Sequence, residues 1–410
     1  MEKMKKSSRN IKLWPILYVI GCDLLFFWVI NVTFLTNVKG LSYEQFFMLD
    51  LIAAGVDMLT TVPILYLIAR IGNNASIKVA LLMFVASSVL FTFGDSFALF
   101  AIANVLYFKA YQFFIVYPII LENNLEKYGA KNDFIKYNAR GKLGYAILTL
   151  LIAFCAGFLY DANAYLPMYM CIGFTVSAFI MSFFVRDETG GRYNATKVLS
   201  KSDQKLDKSL VVFAFVLFAF VLIFKGCWYI GNHYAKISLQ EIGIIMQALT
   251  IVIFVARGVR VFVDFFIEKI INKFSRSLAV VLPVLLIVGL ALLSIPLIVI
   301  QDFVTKLILI SLGIVIIFAI YDLFKLYIYD IIVKKFPKDT HLKMFWLNTL
   351  FDTVGIFVAN IIITCAVANL SVGFALLTIV ATSVIALILG VIMYSKWFKK
   401  EISATDDEIL

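Results

Sequence analysis

Long apolar stretches recur along the whole chain and limit its possible folds more than any other feature. Each is long enough for a helix to cross the hydrocarbon core of a bilayer, which takes about 20 residues. Hydrophobic residues fill 62% of the 410 positions and charged residues only 15%, whereas soluble domains are nearer half apolar and a quarter charged. The sequence therefore predicts an all-α polytopic membrane protein.

Twelve apolar spans can be placed on the sequence. They are predicted at 13–37, 43–69, 77–94, 97–121, 141–160, 163–185, 209–232, 244–267, 278–300, 304–332, 342–368 and 373–395. The longest hydrophilic segment follows the sixth span, which indicates two pseudo-symmetric six-helix bundles. We therefore expect a cytoplasmic N-terminus (1–12), an N-terminal bundle (13–185), a cytoplasmic linker (186–208), a C-terminal bundle (209–395) and a cytoplasmic tail (396–410).

The basic residues predict the orientation of the chain. With the N-terminus inside, most of the 36 lysines and arginines fall in cytoplasmic segments, and the external loops hold only Lys39, Lys236 and Lys306. This is the positive-inside pattern, and it explains the net charge of +10 without a nucleic-acid partner. Both termini are expected in the cytoplasm, with the first helix retained. The bias toward Lys, Ile, Phe and Asn suggests a bacterial protein, and hence the bacterial cytoplasmic membrane.

No motif indicates catalysis, a cofactor or a metal. The five cysteines lie in or beside apolar spans without paired spacing, which is typical of small packing residues. His233 and His341 are expected at opposite membrane edges, so they cannot share a metal site. Nothing resembles an ATP-binding loop, so any energy source should be an ion gradient. We expect neither an enzyme nor a receptor, and no cofactor.

Charged residues inside the predicted spans follow a regular pattern. Apart from Lys78 at the start of span 3, spans 3, 6, 9 and 12 contain none, which predicts that these spans face lipid while the others line something polar. Left unpaired in lipid, the remaining charges would cost on the order of 30 kcal/mol, well above a typical folding stability of about 5–15 kcal/mol. They must be paired or hydrated. Excluding charges within the first three residues of a span, these residues are Asp23, Asp50, Asp57, Lys109, Lys225, Arg257, Arg260, Asp264, Asp322, Lys325, Asp330 and Asp352.

The eighth span concentrates three of these charges in the segment FVARGVRVFVDFF (254–266). Arg257, Arg260 and Asp264 are spaced i, i+3, i+7, which places them on one helix face. That face should meet water or acidic partners. Arg260 can also reach Asp264 at i+4 within the helix.

The two halves resemble each other weakly. Trp28 in the first span and Trp228 in the seventh are about 200 positions apart. The segment after the second span, LIARIGNNAS (67–76), matches the segment after the eighth, FIEKIINKFS (266–275), at a similar offset. Internal repeats of this kind are typical of secondary transporters.

With its twelve spans, its cytoplasmic central linker and spans 3, 6, 9 and 12 uncharged apart from Lys78, the whole chain resembles the major facilitator superfamily. Members carry Gly-x-x-x-Asp-Arg-x-Gly-Arg-Lys after the second and eighth spans. The first copy here keeps Arg70 and Gly72, but Ala69 replaces the Asp, and Asn73 and Asn74 replace basic residues. The second keeps Glu268, Lys269 and Lys273, with Ile271 for the glycine.

The resemblance implies transport by alternating access, in which two bundles rock about a central site. It assigns gating roles to Arg70, Glu268 and Lys269, and we add Arg260 and Asp264 near the expected cytoplasmic end of the eighth span. The degraded first copy puts the usual charge-relay gate in doubt in the N-terminal half. The fifth span lacks the Gly-Pro pair of drug–proton antiporters, which lowers the weight of drug efflux.

Three residues of the first half are candidates for binding substrate or coupling ions. Asp23 and Asp57 lie near the expected midplane, where a buried carboxylate can bind and release a proton. The alternative for either acid is a permanent partner such as Lys109. Lys109 itself could hold an anionic substrate group or neutralise one of these acids. Asp50 lies nearer the outer surface, where a structural or outer-gate role is expected.

The second half supplies Lys225, Arg257, Asp322 and Asp352 as further candidates. Lys225 lies one turn from Trp228, and its alternative role is a salt bridge. Arg257 is the deepest charge of the eighth span. Asp322 can instead pair with Lys325 at i+3. Asp352 is the best acidic candidate of this half.

The sequence thus favours a monomeric secondary transporter that moves a small organic solute with protons across the lipid bilayer. Export of a drug-like or amphipathic metabolite is slightly favoured, from the resemblance alone. Uptake of a polar or anionic solute is the first alternative, because Lys109, Lys225 and Arg257 reach the interior. A lipid or amphiphile flippase is another.

Overall fold

A computed structural model describes residues 2–129, 134–188, 208–337 and 341–398, and within these ranges the chain is helical with no strand. Most of the expected linker and the tail beyond residue 398 lie outside the described residues. The helices are α1 (Glu2–Gly21), α2 (Phe27–Thr33), α3 (Tyr43–Ile71), α4 (Asn73–Phe93), α5 (Phe97–Phe114), α6 (Val116–Lys127), α7 (Phe134–Ala162), α8 (Leu166–Met181), α9 (Lys208–Glu241), α10 (Met246–Phe274), α11 (Leu278–Val299), α12 (Phe303–Lys335), α13 (His341–Asn369) and α14 (Val372–Met393).

The helices differ from the predicted spans mainly at their ends. The first span is divided between α1 and α2, and the fourth between α5 and α6. Helix α9 continues to Glu241, past the predicted end at 232. Lys236, expected in an external loop, is therefore a residue of this helix, and only 3% of it is exposed.

Nine helical segments in the described part of the chain are long and apolar enough to cross a membrane. The three predicted spans outside this set each have a physical reason. The first is broken into two shorter helices, and the sixth corresponds to α8, which has 16 residues. The eighth corresponds to α10, whose 29 residues include Arg257, Arg260 and Asp264.

The chain divides into two compact units. Unit 1 comprises Met1–Leu41, Ile52–Lys197 and Met246–Ile251, and unit 2 comprises Ser42–Leu51, Val198–Ile245 and Val252–Leu410. Helices α3 and α10 therefore each contribute their first turns to one unit and the rest to the other.

The same helix pairings occur in both units. In unit 1, α1 packs against α7 and α8, and α4 packs against α5 and α8. In unit 2, α9 packs against α13 and α14, and α11 packs against α12 and α14. These are corresponding helices if the sequence repeat is extended, so the weak similarity between the halves is matched by the packing.

Candidate functional site

A break in the first predicted span places Asp23 between two helices. Helix α1 ends at Gly21 and α2 begins at Phe27. A carboxylate oxygen of Asp23 accepts a hydrogen bond at 2.7 Å from the backbone N–H of Leu24, so the side chain satisfies a backbone donor that the break leaves without a helical partner. Irregular backbone at membrane depth is tolerated where it lies within protein or lines a polar cavity.

Tyrosine hydroxyls surround this carboxylate. Tyr107 donates to Oδ1 of Asp23 at 3.0 Å, and Tyr145 donates to Oδ2 at 2.9 Å. The Tyr111 hydroxyl lies 3.0 Å from that of Tyr107, and Trp28 donates its indole N–H to the Tyr107 oxygen. Helices α5 and α7 thus bring three hydroxyls to one acid, which we call the Asp23 cluster.

The Asp23 cluster contains no cation. Among the described residues, no lysine, arginine or histidine nitrogen lies within 4 Å of the Asp23 carboxylate. Lys109, its proposed permanent partner, is bound to another acid. Tyr111 is 41% exposed, so the cluster reaches the surface of unit 1.

Asp57 and Lys109 form a buried ion pair in unit 1. The Lys109 ammonium lies 2.9 Å from Oδ1 of Asp57 and also donates to Gln112 Oε1 at 3.1 Å and to the Thr60 hydroxyl. Gln112 in turn donates to the Thr61 hydroxyl at 2.9 Å. Lys109 thus contacts one of the two acids that it was expected to neutralise, and its possible role in binding an anionic substrate group stays a prediction.

In unit 2, Lys225 lies on aromatic rings. Its Nζ is 4.6 Å from the ring centroid of Trp228 and 4.4 Å from that of Tyr321. These two rings stack on each other with centroids 4.1 Å apart, and the Trp228 indole donates to the Ile317 carbonyl at 2.7 Å. The sequence singled out Lys225 and Trp228, but their contacts with Tyr321 and Ile317 of α12 could be found only from the structure.

An ion pair joins α10 to α12. Arg260 lies 2.5 Å from Oδ2 of Asp322, a partner on α12 that the sequence did not single out for it, and the expected Arg260–Asp264 and Asp322–Lys325 pairs stay predictions. Asp264 lies against Asp322. Both Nε and a terminal nitrogen of Arg260 lie 2.5 Å from this oxygen, since the planar guanidinium group presents its N–H groups as a fork.

The remaining candidates are placed as follows. Arg257 is half-buried on α10. Asp352 lies on α13, and its Oδ1 is buried without a hydrogen-bond partner in the described chain. Lys269 is exposed beside the Phe266 ring, and Arg70 is exposed at the end of α3. Glu268 belongs to α10, but its side chain lies outside the described residues.

Asp50 lies in the part of α3 that belongs to unit 2. It accepts a hydrogen bond from the Tyr229 hydroxyl at 3.1 Å, and its Oδ2 lies 3.4 Å from Nε2 of His233. Its side chain is thus held inside the unit, and its expected structural or gating role stays a prediction.

The asparagines of the degraded signature have a defined function in packing. Asn73 and Asn123 donate to Oδ2 of Asp187 at 2.8 and 3.0 Å. The backbone N–H of Asp187 donates to Asn74 Oδ1 at 2.7 Å. Gly72, with a φ of +82°, makes the turn into α4 that aims these amides. Asn73 and Asn74, which stand where the family signature has basic residues, thus bind Asp187 through their amide groups. We call these contacts, together with that of Asn123, the amide clamp on the segment after α8.

Two features of the site were missed from the sequence. Tyr145 gave no signal, because a single tyrosine in an apolar helix is common. The break at Asp23 was missed because hydropathy is continuous from residue 13 to 37. The only available signal was the Gly21-Cys22-Asp23 sequence, which combines a weak helix former with a side chain that competes for backbone donors.

No family model and no curated protein sequence matches this chain. Several solved structures are similar to this chain. Two crystal structures of the nucleoside transporter NupG, one of them a mutant, superpose with TM-scores of 0.71 and 0.75 at 13% and 11% identity, over 94% of this chain and 99% and 100% of theirs.

Two other similar structures belong to different transporters. A D-xylose-proton symporter gives a TM-score of 0.70 at 12% identity, and a bacterial homologue of the human lysosomal transporter Spinster gives 0.66 at 12% identity. Each comparison covers 96% of this chain and 98% of the other. All four are described as transporters. The chain is therefore an integral membrane protein with the major facilitator fold.

Proposed function

We propose that this chain is a secondary active transporter that moves a small organic solute by alternating access and couples the movement to protons. In this proposal, twelve spans form two six-helix bundles in a bacterial cytoplasmic membrane, with both termini in the cytoplasm. The fold supports the proposal, because the similar structures include a nucleoside transporter and a xylose–proton symporter.

The observation that carries proton coupling is the environment of Asp23. Its carboxylate receives hydrogen bonds from Tyr107, Tyr145 and the backbone of Leu24, and no cation lies beside it in the described chain. Hydroxyl donors stabilise the ionised form, while burial without a counter-charge favours the protonated form. Because these two effects oppose each other, the group can exist in both states. Asp57, held by Lys109, cannot gain a proton without leaving an ammonium unpaired.

The proposed step uses this change of charge. A proton on Asp23 neutralises the carboxylate at the break in the first span. The neutral group costs less free energy than the charged one while it is shielded from water between the two conformations. Loss of the proton restores the charge and the tyrosine hydrogen bonds. If the two conformations expose Asp23 to opposite sides, solute movement and proton movement become linked.

The test is proton flux in proteoliposomes that contain a pH-sensitive dye, measured with a panel of drugs, amino acids, sugars and organic anions. We expect one solute class to trigger proton movement in the wild type and in Asp161→Asn, a control with the same substitution at an exposed position of α7. Asp23→Asn should exchange labelled solute without moving protons. Coupled transport that persists unchanged in Asp23→Asn would refute the role of Asp23.

The same experiment separates export from uptake. Export, which the resemblance favoured, and uptake of a polar solute both use the proposed proton step. In export the proton enters as the solute leaves, and in uptake both move together. The sign of the dye signal relative to labelled solute therefore gives the direction.

A further inference from the structure

Lys225 is a cation without a direct counter-charge. In the part of the chain that the structure describes, no carboxylate oxygen lies within 4 Å of its Nζ. Its charge rests on the faces of Trp228 and Tyr321. Cation–π contacts of this kind contribute about 0.5–2 kcal/mol, less than the cost of removing an ammonium group from water. The ammonium is therefore held in position but left able to bind an anion.

Asp352 is an acid without a direct hydrogen-bond donor or cation in the described part of the chain. Its buried Oδ1 accepts no hydrogen bond, and neither oxygen is within 4 Å of a basic nitrogen of the described chain. Lys225 and Lys325 are the cations whose charge acts on it from a distance. An unfilled buried acceptor costs about 1–3 kcal/mol, and more when it is charged. A donor brought by a ligand would remove that cost.

The backbones around these two residues are in direct contact. A Cβ on Gly226, next to Lys225, would lie 2.4 Å from the Gly355 carbonyl oxygen, and a Cβ on Gly355 would lie 2.2 Å from the Leu222 carbonyl oxygen. Gly355 is one turn from Asp352. Helices α9 and α13 therefore cross at two glycines, and this rigid crossing fixes the spacing between the ammonium and the carboxylate. Groups placed on packed helices are held more accurately than groups on loops.

From these contacts we infer that Lys225 and Asp352 form the two ends of a binding site for a small zwitterionic solute, one that carries an anionic group and a protonated amine. The anionic group binds Lys225 Nζ above the Trp228 and Tyr321 rings, and the amine donates to Oδ1 of Asp352. The inference rests on the proposed transport function and names the substrate class of its site in unit 2.

Charge balance favours a zwitterion over a singly charged solute. Lys225 and Asp352 carry one charge of each sign. A monoanion would satisfy Lys225 but leave Asp352 without a donor, and a monocation would do the reverse. A solute with both charges fills both sites and adds no net charge to the membrane interior, where an isolated charge is costly.

The Asp57–Lys109 pair of unit 1 shows the geometry of a direct salt bridge in this protein. There the nitrogen and oxygen are 2.9 Å apart, and Thr60 and Gln112 complete the coordination of the ammonium. Lys225 and Asp352 have comparable charges, but no such direct bond. A permanent salt bridge does not explain their arrangement, whereas a ligand between them does.

The test is direct binding to the purified full-length protein in detergent, measured by isothermal titration calorimetry. The probes are the common amino acids and alanine dipeptides. For each amino acid, the N-acetyl derivative removes the positive charge and the methyl ester removes the negative charge. We expect at least one zwitterion to bind, and both of its derivatives to bind at least about tenfold more weakly, since tenfold corresponds to 1.4 kcal/mol.

Substitutions at Lys225 and Asp352 test which residue binds each charged group of the solute. Lys225→Gln and Asp352→Asn should each weaken binding of the zwitterion about tenfold or more, whereas Lys334→Gln, an exposed lysine of α12 that pairs with Asp330, should leave it unchanged. In Lys225→Gln the methyl ester should bind about as well as the parent. The inference is overturned if no zwitterion binds, if a derivative binds as tightly as its parent, or if both variants retain wild-type affinity.

Failure of this inference and failure of the proposed function give different results. Zwitterion binding without transport in proteoliposomes would refute the transport proposal and leave the binding site intact. Proton movement triggered by sugars or drugs, with no zwitterion bound, would refute the binding site and support transport.

Discussion

The Lys109 ammonium lies 2.9 Å from an Asp57 carboxylate oxygen inside unit 1, and both side chains are about nine-tenths buried. Removing one member of such a pair leaves an uncompensated charge in a low-dielectric region, which costs about 3–5 kcal/mol. Removing both charges leaves no such charge.

We therefore expect Asp57→Asn and Lys109→Gln to destabilise the protein strongly and the double variant to recover most of the loss. Thermal unfolding in detergent, followed by tryptophan fluorescence, measures the three variants against wild type. A double variant whose loss equals the sum of the single losses would show that the two side chains do not act as a pair.

The tyrosines of the Asp23 cluster predict a pH effect. Tyr145 donates to Asp23 at 2.9 Å, and a hydrogen bond to a charged group contributes about 1.5–3 kcal/mol. In Tyr145→Phe the ionised carboxylate loses that donor, so the proton is released at higher pH. We expect the midpoint of the pH profile of transport to move upward by roughly one unit.

Tyr160→Phe is the control for this experiment, because Tyr160 lies on the same helix at a distance from the cluster. Its profile should match wild type. A Tyr145→Phe profile that loses amplitude at every pH but keeps its midpoint would indicate that the hydroxyl only supports packing.

The sequence predicted which residues are charged inside the spans, because hydropathy and charge are local properties. It named Lys109 as a possible partner of Asp57, a contact that the structure contains, but it did not point to the partner of Arg260. Arg260 could be assigned to Asp264 by helical spacing, but the contact with Asp322 depends on how α10 packs against α12. The helix break at Asp23 was likewise not predictable from hydropathy, since the residues on both sides are apolar. Pairing and breaks are tertiary properties, and one sequence without its packing does not contain them in readable form.

The glycine crossing of α9 and α13 predicts a sharp steric effect. A Cβ at Gly355 would lie 2.2 Å from a backbone oxygen of Leu222, which cannot move aside as a side chain could. Overpacking of this kind costs about 1–3 kcal/mol. Gly355→Ala should lower the unfolding temperature and also weaken binding at Lys225, because the helices must separate.

Gly173→Ala is the matched control, because a Cβ there has no atom within 4 Å. It should unfold like wild type or slightly later, since alanine favours the helix over glycine. Equal unfolding temperatures for Gly355→Ala and Gly173→Ala would contradict the close crossing.

The contacts of the amide clamp with Asp187 predict which residues near the family signature contribute to structure and transport. Asn73 and Asn123 donate to its carboxylate and Asn74 accepts from its N–H, whereas Arg70 is exposed. We expect Asp187→Ala to make the segment after α8 more accessible to limited proteolysis and to slow transport, and Arg70→Gln to change both less. If Arg70→Gln has the larger effects, the gating role that the family resemblance assigns to Arg70 would be favoured over the amide clamp.

Asp302 lies outside the predicted spans, and we expect its contribution to the stability of the protein to depend on pH. Its carboxylate accepts from the Thr305 N–H at 2.7 Å and from the Thr305 hydroxyl at 2.6 Å, capping α12. These hydrogen bonds to Thr305 hold the pKa of Asp302 below its usual 3.8. A lowered pKa in the folded state means that the ionised cap stabilises the protein at pH values above 3.8. That contribution is lost as the pH falls through the folded-state pKa.

Asp302→Ala should therefore unfold at a lower temperature than wild type at neutral pH, and the difference should shrink in acid. Asp302→Ser, which keeps a capping oxygen without a titrating group, should retain part of the stability and show no such pH dependence. Thermal unfolding of the three proteins between neutral pH and the lowest pH the detergent tolerates measures this. A constant gap between wild type and Asp302→Ala down to that limit would mean that the charge of the cap contributes nothing.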